Sequence, residues 1–165
     1  MEIRELALRS AFDVVGNFPG KRTLPIYCND HLGNIIASIM GSKMICFGGD
    51  SNGAFQITTE KDQSWIHSDD GAMWAGVLYL TLNPPENSGT VFYKHKKSGS
   101  ITYKEGLENT DGNNSDLWEM TDRIANVFNR LILYRGNMWH KSDKYFGDNL
   151  ENGRLFQVFF FEVSQ

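Results

Sequence analysis

The sequence is poor in cysteine and has no long apolar run. Its two cysteines, Cys28 and Cys46, do not form a Cys-x-x-Cys pair, which argues against a disulfide framework and indicates reduced thiols. No apolar stretch approaches the roughly 20 residues that cross a bilayer. Residues 1–10 mix charged and apolar side chains, unlike a secretion signal. We therefore expect a cytoplasmic protein (host cytoplasm if the gene is viral) with no membrane partner.

An excess of positive charge is also missing. The chain has 16 Lys and Arg residues against 20 Asp and Glu residues, a net charge of −4. A protein that binds duplex nucleic acid concentrates basic residues on one face, and this balance argues against such a partner. The short basic run Lys94, Lys96 and Lys97 is expected in a solvent-exposed turn.

The composition is that of a folded globular protein. Apolar residues make up 41% of the chain and aromatic residues 13%, including eleven Phe and four Trp. Such a chain can bury a substantial core, so neither disorder nor a fibrous repeat fits it. With no internal repeat and no change in composition along the 165 residues, we expect a single domain, residues 1–165.

The first quarter of the chain has helical patterns. Apolar residues at helical spacing predict a helix over residues 2–15, which ends in the turn-rich segment 16–20. A second apolar stripe can be capped by Asn29 or Asp30 and ended by Gly41. These segments predict a helical support at the N-terminal end of the domain.

Strand patterns dominate after the helical region. The expected strands are residues 44–48, 54–58, 64–69, 74–82, 90–93, 130–134, 138–142 and 155–163. The first two flank a Gly- and Asn-rich segment that is typical of a hairpin loop. A third helix is expected after Ser115, because Leu117, Met120, Ile124 and Val127 would share one face.

The order of these elements predicts the fold class. Residues 1–43 are expected to be the helical support, and residues 44–165 the β core. Helices followed by many strands indicate an α+β protein that is mainly β, with a largely antiparallel sheet.

His67-Ser68-Asp69 is the segment with the clearest chemistry. In an extended chain, side chains two residues apart point to the same side at about 6.6 Å, so the imidazole and carboxylate can share one metal ion. His140, after a tight turn, is the leading third ligand. Two imidazoles and one carboxylate suit Fe(II), Mn(II) or Zn(II) and leave coordination positions open. The alternative is that these are ordinary surface or core residues, because the short pattern is common by chance.

Arg154 begins the last apolar strand. Strand alternation places it on the same face as Phe156, Val158 and Phe160. A guanidinium on an apolar face is costly unless it meets an anion. That anion is either an internal Asp or Glu, or the carboxylate of a ligand, which a guanidinium can bind with two parallel hydrogen bonds.

Two other segments have less specific patterns. Cys28-x-x-His31 has the spacing of half a zinc site but no second pair of ligands. The polar segment 97–115 is either a mobile loop near a substrate or an excursion into solvent.

Several motifs occur together in a fixed order. They are His67-x-Asp69, Tyr79-Leu80, Gly89 before Val91-Phe92-Tyr93, Leu131-Ile132-Leu133-Tyr134 before His140, and Arg154 with Val158 and Phe160. In this order, the chain from about residue 60 to residue 165 resembles the Fe(II)/2-oxoglutarate-dependent dioxygenases. It is most similar to the prolyl-4-hydroxylase-like branch and, through residues 16–23, to small phage members of that branch.

The resemblance implies a fold and a site. The fold would be a double-stranded β-helix, the jelly-roll barrel of the cupin type. His67, Asp69 and His140 would bind Fe(II). Arg154 would pair with the distal carboxylate of 2-oxoglutarate, and Tyr79 would hydrogen-bond the same end.

The resemblance also implies a reaction. The enzyme would use O2 and 2-oxoglutarate, with ascorbate as an optional reductant, to hydroxylate an unactivated C–H bond and release succinate and CO2. The substrate would be a prolyl residue of a peptide or protein, or a small molecule.

The chain departs from the pattern at two places. Residues 144–153 lengthen the connection between His140 and Arg154, and Gly89 stands alone where many relatives have two glycines. Two other functions therefore stay open: a cupin-like metal protein that does not need Arg154, and a phage interaction module without a catalytic site.

Overall fold

The fold is that of a computed structural model, which describes residues 2–24, 28–42, 44–47, 51–69, 74–104 and 109–164. The helices are α1 (Glu2–Leu8) and α2 (Asp30–Met40), with short 3-10 helices at Asn109–Asn113 and Ser115–Leu117. The strands are β1 (Val14–Gly16), β2 (Phe18–Arg22), β3 (Met44–Phe47), β4 (Phe55–Thr58), β5 (Trp74–Tyr79), β6 (Thr90–His95), β7 (Trp118–Ile124), β8 (Leu131–Arg135), β9 (His140–Ser142) and β10 (Arg154–Ser164).

The strands form two antiparallel sheets. The larger sheet has the order β1-β2-β4-β10-β5-β8, and β3 pairs with the end of β10 beyond β4. The smaller sheet has the order β7-β6-β9. The expectation of a mainly β chain with antiparallel pairing is confirmed, and the arrangement is compatible with a β-sandwich.

Strand β10 organises the larger sheet. It pairs with β4 and then β3 along one side and with β5 along the other. Alternate side chains of β10 serve two different layers. Phe156 and Val158 pack between the sheets with Phe92 of β6. Leu155 and Phe159 face the helices.

The two helices cover the outer face of the larger sheet. Ala7 of α1 packs with Leu155, and Ile36 of α2 packs against the far end of β10. Helix α2 has the caps expected from the sequence. The Asn29 side chain accepts a hydrogen bond from the backbone N–H of Leu32, and Gly41 ends the helix at φ 65°. Within the described residues, no helix combines the length and apolar character that a membrane crossing requires.

The prediction of a helix over residues 2–15 is wrong beyond Leu8. The chain instead forms the β1–β2 hairpin, which pairs with β4 at the edge of the larger sheet. Two β-branched residues in β1 favour the strand. Gly20, at φ 72°, lets β2 lie so close to β4 that a Cβ atom there would collide with the carbonyl oxygen of Ile57. The first 43 residues are therefore not only a helical support, because they add two strands to the sheet.

The predicted hairpin between residues 44–48 and 54–58 is also wrong. Strands β3 and β4 do not pair with each other; both pair with β10, one after the other along the same side. Strand β10 has eleven residues, which is long enough for β3 and β4 to pair with it in succession. The two short strands therefore pair with β10 and not with each other. Gly48 and the start of the expected loop lie outside the described residues.

The third predicted helix, over residues 117–127, is wrong as well. A 3-10 turn at Ser115–Leu117 leads into β7, which pairs with β6. The apolar residues at helical spacing are not buried together, since Met120 and Val127 are 50% and 43% exposed. The strand pairing with β6 is therefore favoured over a helix, because a helix in this segment would not bury its apolar side chains in the core.

The packing of α2 can be tested by a matched pair of substitutions. Ile36→Ala should lower the free energy of unfolding by about 2–4 kcal/mol, because Ile36 is fully buried against β10. Ile39→Ala, on the same helix but 62% exposed, should change it by less than about 0.5 kcal/mol. Urea unfolding measures both, and equal effects would show that α2 does not pack on the sheet through Ile36.

Candidate metal centre

Backbone pairing places the two candidate histidines side by side. The N–H of His67 donates to the carbonyl of His140 at 2.9 Å, and the N–H of His140 donates to the carbonyl of His67 at 2.8 Å. Directly opposed residues of an antiparallel pair point to the same side, and the two imidazole centroids are 4.5 Å apart. The N–H of Asp69 donates to the carbonyl of Gly136 at 2.8 Å, which keeps its segment against the turn before β9.

Three ligand atoms converge at this pair. His67 Nε2 lies 3.9 Å from Asp69 Oδ1, and His140 Nε2 lies 3.6 Å from Asp69 Oδ2. One ligand atom from each of the three residues lies within 4.8 Å of the other two. The structure thus brings together the three residues that the sequence suggested, and this group could hold a metal ion.

Hydrogen bonds to the backbone set the tautomer of both imidazoles. His67 Nδ1 lies 2.9 Å from the carbonyl oxygen of Trp65, and His140 Nδ1 lies 2.9 Å from that of Met138. A carbonyl only accepts, so each Nδ1 carries the proton and donates. Each Nε2 therefore directs a lone pair toward the Asp69 carboxylate. Orientation of a ligand imidazole by a hydrogen bond at its other nitrogen is typical of metal sites.

The electrostatics of the cluster call for a cation. Burial lowers the pKa of His140 to about 4; Asp69 opposes this shift and His67 adds to it. His140 is therefore neutral at pH 7, the form in which imidazole binds a metal. Asp69 Oδ2 is buried and accepts no hydrogen bond from the described residues. Three acceptors facing each other repel, and a metal ion would make that contact favourable.

The cluster lies in a cavity of about 810 Å³ between the inner faces of the two sheets. Side chains of β2, β4, β5, β8 and β10 line one side, and the 64–69 segment and β9 line the other. Much of the wall is aromatic, including Phe18, Tyr134, Phe156 and Phe160. The cavity therefore has space for small molecules next to the candidate metal ligands.

Arg154 lines the same cavity and is 1% exposed. Its Nε donates to the carbonyl of Ser88 at 3.0 Å and its Nη2 to that of Gly89 at 3.3 Å, whereas Nη1 has no hydrogen-bond partner in the described part of the chain. Its guanidinium carbon lies 4.2 Å from the ring centre of Phe156. No carboxylate of the described residues lies within 4 Å of it. The internal ion pair that the sequence left open is therefore not found among these residues.

Tyr79 lies beside Arg154 but is fully buried. The centre of its ring is 5.5 Å from the Arg154 guanidinium carbon, and its hydroxyl is 2.7 Å from Thr90 Oγ1. Burial raises the pKa of Tyr79, with Arg154 and the Thr90 hydrogen bond opposing the shift, so the phenol stays protonated. Thr90, rather than Tyr79, lines the cavity.

The longer connection before β10 keeps Arg154 in register. In residues 144–153 the Asn152 side chain accepts hydrogen bonds from the backbone N–H groups of Asp148 and Asn149, and Gly153 donates to the carbonyl of Asn149. The loop is therefore closed by its own polar groups. Arg154 pairs with Thr58 at the start of β10, so the longer connection forms a local loop that does not shift the register of the strand.

Sequence reasoning missed several residues of the cavity wall, among them Arg22, Gln56 and Tyr134. Arg22 was overlooked because the preceding segment 16–20 was interpreted as a break, although Phe18, Gly20 and Arg22 alternate as in a strand. Tyr134 was seen only as part of an apolar strand. Its ring centre lies 4.8 Å from that of His140, and burial holds the pKa of its phenol well above the usual range.

The remaining candidate patterns do not form a second site. In the portion of the chain with a described structure, His67, Asp69 and His140 form the one group of three potential ligands that is close enough to share an ion. Cys28 is a free, half-buried thiol, and burial raises its pKa to about 11. His31 is exposed on α2.

The prediction that the basic run around Lys94 lies in a solvent-exposed turn is only partly confirmed. Lys94 lies in β6 and forms a 2.7 Å ion pair with Glu119 of β7. Lys96 and Lys97 follow in the turn and are exposed. The run therefore contributes no concentrated basic face.

The chain matches the family of unknown function DUF6445 over residues 54–161, about two thirds of its length. It belongs to the DUF6445 family. No curated protein matches the chain. The segment shared with the DUF6445 family runs from just before β4 into β10, so it contains the three candidate ligands and Arg154. It does not contain α1, α2 or the β1–β2 hairpin.

Metal binding can be measured directly. The protein should bind one Mn(II), or one Fe(II) without oxygen, and His67→Ala or His140→Ala should weaken binding by at least about 100-fold, because each removes one of three ligands. His31→Ala, at an exposed histidine outside the cluster, is the control and should bind like the native chain. Calorimetric titration gives stoichiometry and affinity, and unchanged affinity in the cluster variants would rule out this site.

Asp69→Asn separates a metal site from a structural ion pair. Without metal at pH 8, above the usual imidazole pKa, the new amide can donate to a histidine Nε2. Stability should rise by about 0.5–1.5 kcal/mol while metal affinity falls. Urea unfolding without metal and calorimetry with Mn(II) give the two readouts. A loss of stability in the metal-free variant would instead show that the Asp69 charge has a structural role, through the histidines or through its attraction to Arg22.

Proposed function

We propose that the protein is an Fe(II)- and 2-oxoglutarate-dependent dioxygenase that hydroxylates an unactivated C–H bond. The observation that carries the proposal is the position of Arg154. Its buried guanidinium has a free Nη1 and lines the same cavity as the candidate metal ligands. A metal protein without a co-substrate would need only the three ligands, and a buried cation without an anion would be an unexplained cost.

The residues present fit Fe(II). His67, Asp69 and His140 are two imidazoles and one carboxylate, the ligand set associated with non-haem Fe(II) oxygenases, and three protein ligands leave coordination positions open. When bound, the iron would supply O2 activation and the oxidation of the C–H bond. The backbone hydrogen bonds at both Nδ1 atoms orient the imidazoles with Nε2 toward the candidate metal position.

The residues around Arg154 fit one end of a dicarboxylate. The carbonyls of Ser88 and Gly89 hold two of its nitrogens in place, so the third, Nη1, is available to a carboxylate oxygen. Thr90, which lines the cavity and forms a hydrogen bond with Tyr79, has a hydroxyl group on the same cavity wall as Arg154. A fixed guanidinium loses little conformational entropy when it binds a carboxylate, and one carboxylate of 2-oxoglutarate would meet this requirement.

The strand pairing supports a double-stranded β-helix. Three strand pairs and one isolated bridge are nested: β4 with β10, His67 with His140 of β9 through the bridge, β5 with β8, and β6 with β7. A long hairpin folded over on itself produces this nesting, and such folding generates jelly rolls. The contacts β10–β5 and β6–β9 then close the two four-segment layers.

In the proposed reaction, 2-oxoglutarate, O2 and a substrate C–H group give succinate, CO2 and the hydroxylated substrate. One oxygen atom enters succinate and the other enters the product. His67, Asp69 and His140 would hold the metal, and Arg154 would orient the co-substrate. A prolyl residue of a peptide, or a small molecule, is the proposed type of substrate.

Co-substrate binding tests the proposal. Oxygen-free, Mn(II)-loaded protein should bind 2-oxoglutarate, and Arg154→Met should raise its Kd by at least about 10-fold through loss of the charge-assisted hydrogen bonds. The Kd of Arg154→Lys for 2-oxoglutarate should lie between those of the native protein and Arg154→Met, since lysine keeps the charge but not the planar geometry. Arg130→Gln, at an exposed arginine, is the control.

Calorimetry measures these affinities, and succinate formation with Fe(II) and O2 measures turnover. The Arg154 variants should keep native Mn(II) affinity, which shows that the metal site is still folded. The proposal would be wrong if the protein did not bind 2-oxoglutarate, or if the Arg154 substitutions did not change its affinity for 2-oxoglutarate. The protein would then be a metal-binding protein that does not use this co-substrate.

A further inference from the structure

A second arginine lines the cavity at a distance from Arg154. Arg22 of β2 is the direct cross-strand partner of Gln56, and Gln56 is the partner of Phe156. Paired residues share a face, so Arg22 lies on the same inner face as Phe156 and Arg154. Two strand spacings separate Arg22 from Phe156, about 10 Å. The Arg22 guanidinium lies over the Phe18 ring and that of Arg154 over the Phe156 ring, so the two arginines occupy different parts of the cavity.

Contacts on several sides hold Arg22 in place. Its Nε donates to Gln56 Oε1 at 2.8 Å, and Gln56 Nε2 donates to the carbonyl of Pro19 at 2.6 Å. The guanidinium carbon lies 4.0 Å from the ring centre of Phe18 and 5.9 Å from that of Phe160. Among the described residues its hydrogen bonding uses only Nε, so the edge formed by Nη1 and Nη2 is available to a ligand.

The charge of Arg22 has no close counter-ion among the described residues. Burial lowers its pKa to about 10, with attraction by Asp69 opposing the shift, so it is still a cation at neutral pH. No described carboxylate lies within 4 Å of it, and Glu162, which also lines the cavity, is exposed and forms no ion pair with it.

Loading the proposed site makes this imbalance larger. A divalent metal would take up the charge of Asp69, the acidic group that attracts Arg22 through space. A divalent metal and doubly charged 2-oxoglutarate, together with Asp69, Arg154 and Arg22, would carry one net positive charge. A second anion at Arg22 would balance that charge.

We propose that Arg22 binds a carboxylate group of the substrate, and that the enzyme hydroxylates a small carboxylic acid. The flat guanidinium over the Phe18 ring presents an edge that matches a planar carboxylate. Phe18, Phe160 and Tyr134 would contact the apolar part of the molecule. This inference rests on the proposed function and narrows it, because an internal prolyl residue of a peptide has no free carboxylate.

Matched acids and amides test the proposal without turnover. The probes are formate with formamide and 3-phenylpropionate with 3-phenylpropionamide, titrated into oxygen-free protein saturated with Mn(II) and 2-oxoglutarate. Each acid should bind at least about 10-fold more tightly than its amide, because only the acid forms charge-assisted hydrogen bonds. Formate is small enough that the shape of the cavity cannot exclude it.

Three variants assign this preference to one residue. Arg22→Met should abolish the preference for the acid, and Arg22→Lys should reduce it. Lys21→Met changes the neighbouring exposed lysine of β2 and should leave the preference intact. All three should keep native Mn(II) and 2-oxoglutarate affinity, which shows that the cavity is folded. Arg22→Lys keeps the charge and the apolar stem, so it is informative even if Arg22→Met disturbs the hairpin.

The outcomes distinguish this inference from the proposed function. A preference for acids that depends on Arg22 in a protein that does not bind 2-oxoglutarate would support the anion site and end the dioxygenase proposal. Binding of 2-oxoglutarate through Arg154, with acids and amides binding equally or not at all, would overturn the role of Arg22 alone. A loss of 2-oxoglutarate affinity in Arg22→Met as large as in Arg154→Met, or tighter Arg22-dependent binding of inorganic phosphate than of the acids, would also overturn it.

Discussion

The candidate site depends on the reciprocal backbone hydrogen bonds between His67 and His140. They join the extended 64–69 segment to β9 and set the spacing of the two imidazoles without using either side chain. Both rings then donate from Nδ1 to the carbonyl two residues earlier, which leaves both Nε2 atoms facing Asp69. The backbone of the sheet therefore sets the geometry of the two imidazoles, and ligands that are fixed in this way bind a metal with little loss of conformational freedom.

Strand β10 connects this site to the stability of the fold. One row of its side chains forms the core under the helices with Leu155 and Phe159, and the other row brings Arg154 and Phe156 to the cavity. Burying a guanidinium with an unsatisfied nitrogen costs free energy, which the apolar row on the opposite face can offset. Two of the buried polar atoms without a hydrogen-bond partner, Asp69 Oδ2 and Arg154 Nη1, belong to residues of the cavity wall, and such departures from full hydrogen bonding are typical of functional sites.

The sequence predicted the elements whose signals are local. The caps of α2 at Asn29 and Gly41, the alternation in β10 and the chelating spacing of His67 and Asp69 all depend on neighbouring residues. The errors concern elements that are decided by distant partners. Strand β7 replaces a helix because β6 pairs with it, and β3 and β4 share β10 instead of pairing together. Arg22 was missed for the same reason, since its place in the cavity depends on pairing between β2 and β4.

The two arginines of the cavity differ in their position relative to the segment that matches the DUF6445 family. Arg154 and the three metal ligands lie within the segment that matches the DUF6445 family, whereas Arg22 lies on a hairpin outside it. Arg154 is anchored by backbone carbonyls of the shared segment, so its position does not depend on the hairpin. Arg22 is anchored to Gln56 of the shared segment but is stacked on Phe18 of its own hairpin. On the proposed function, the segment that matches the DUF6445 family would carry the oxidation chemistry, and the β1–β2 hairpin would select the substrate by its charge.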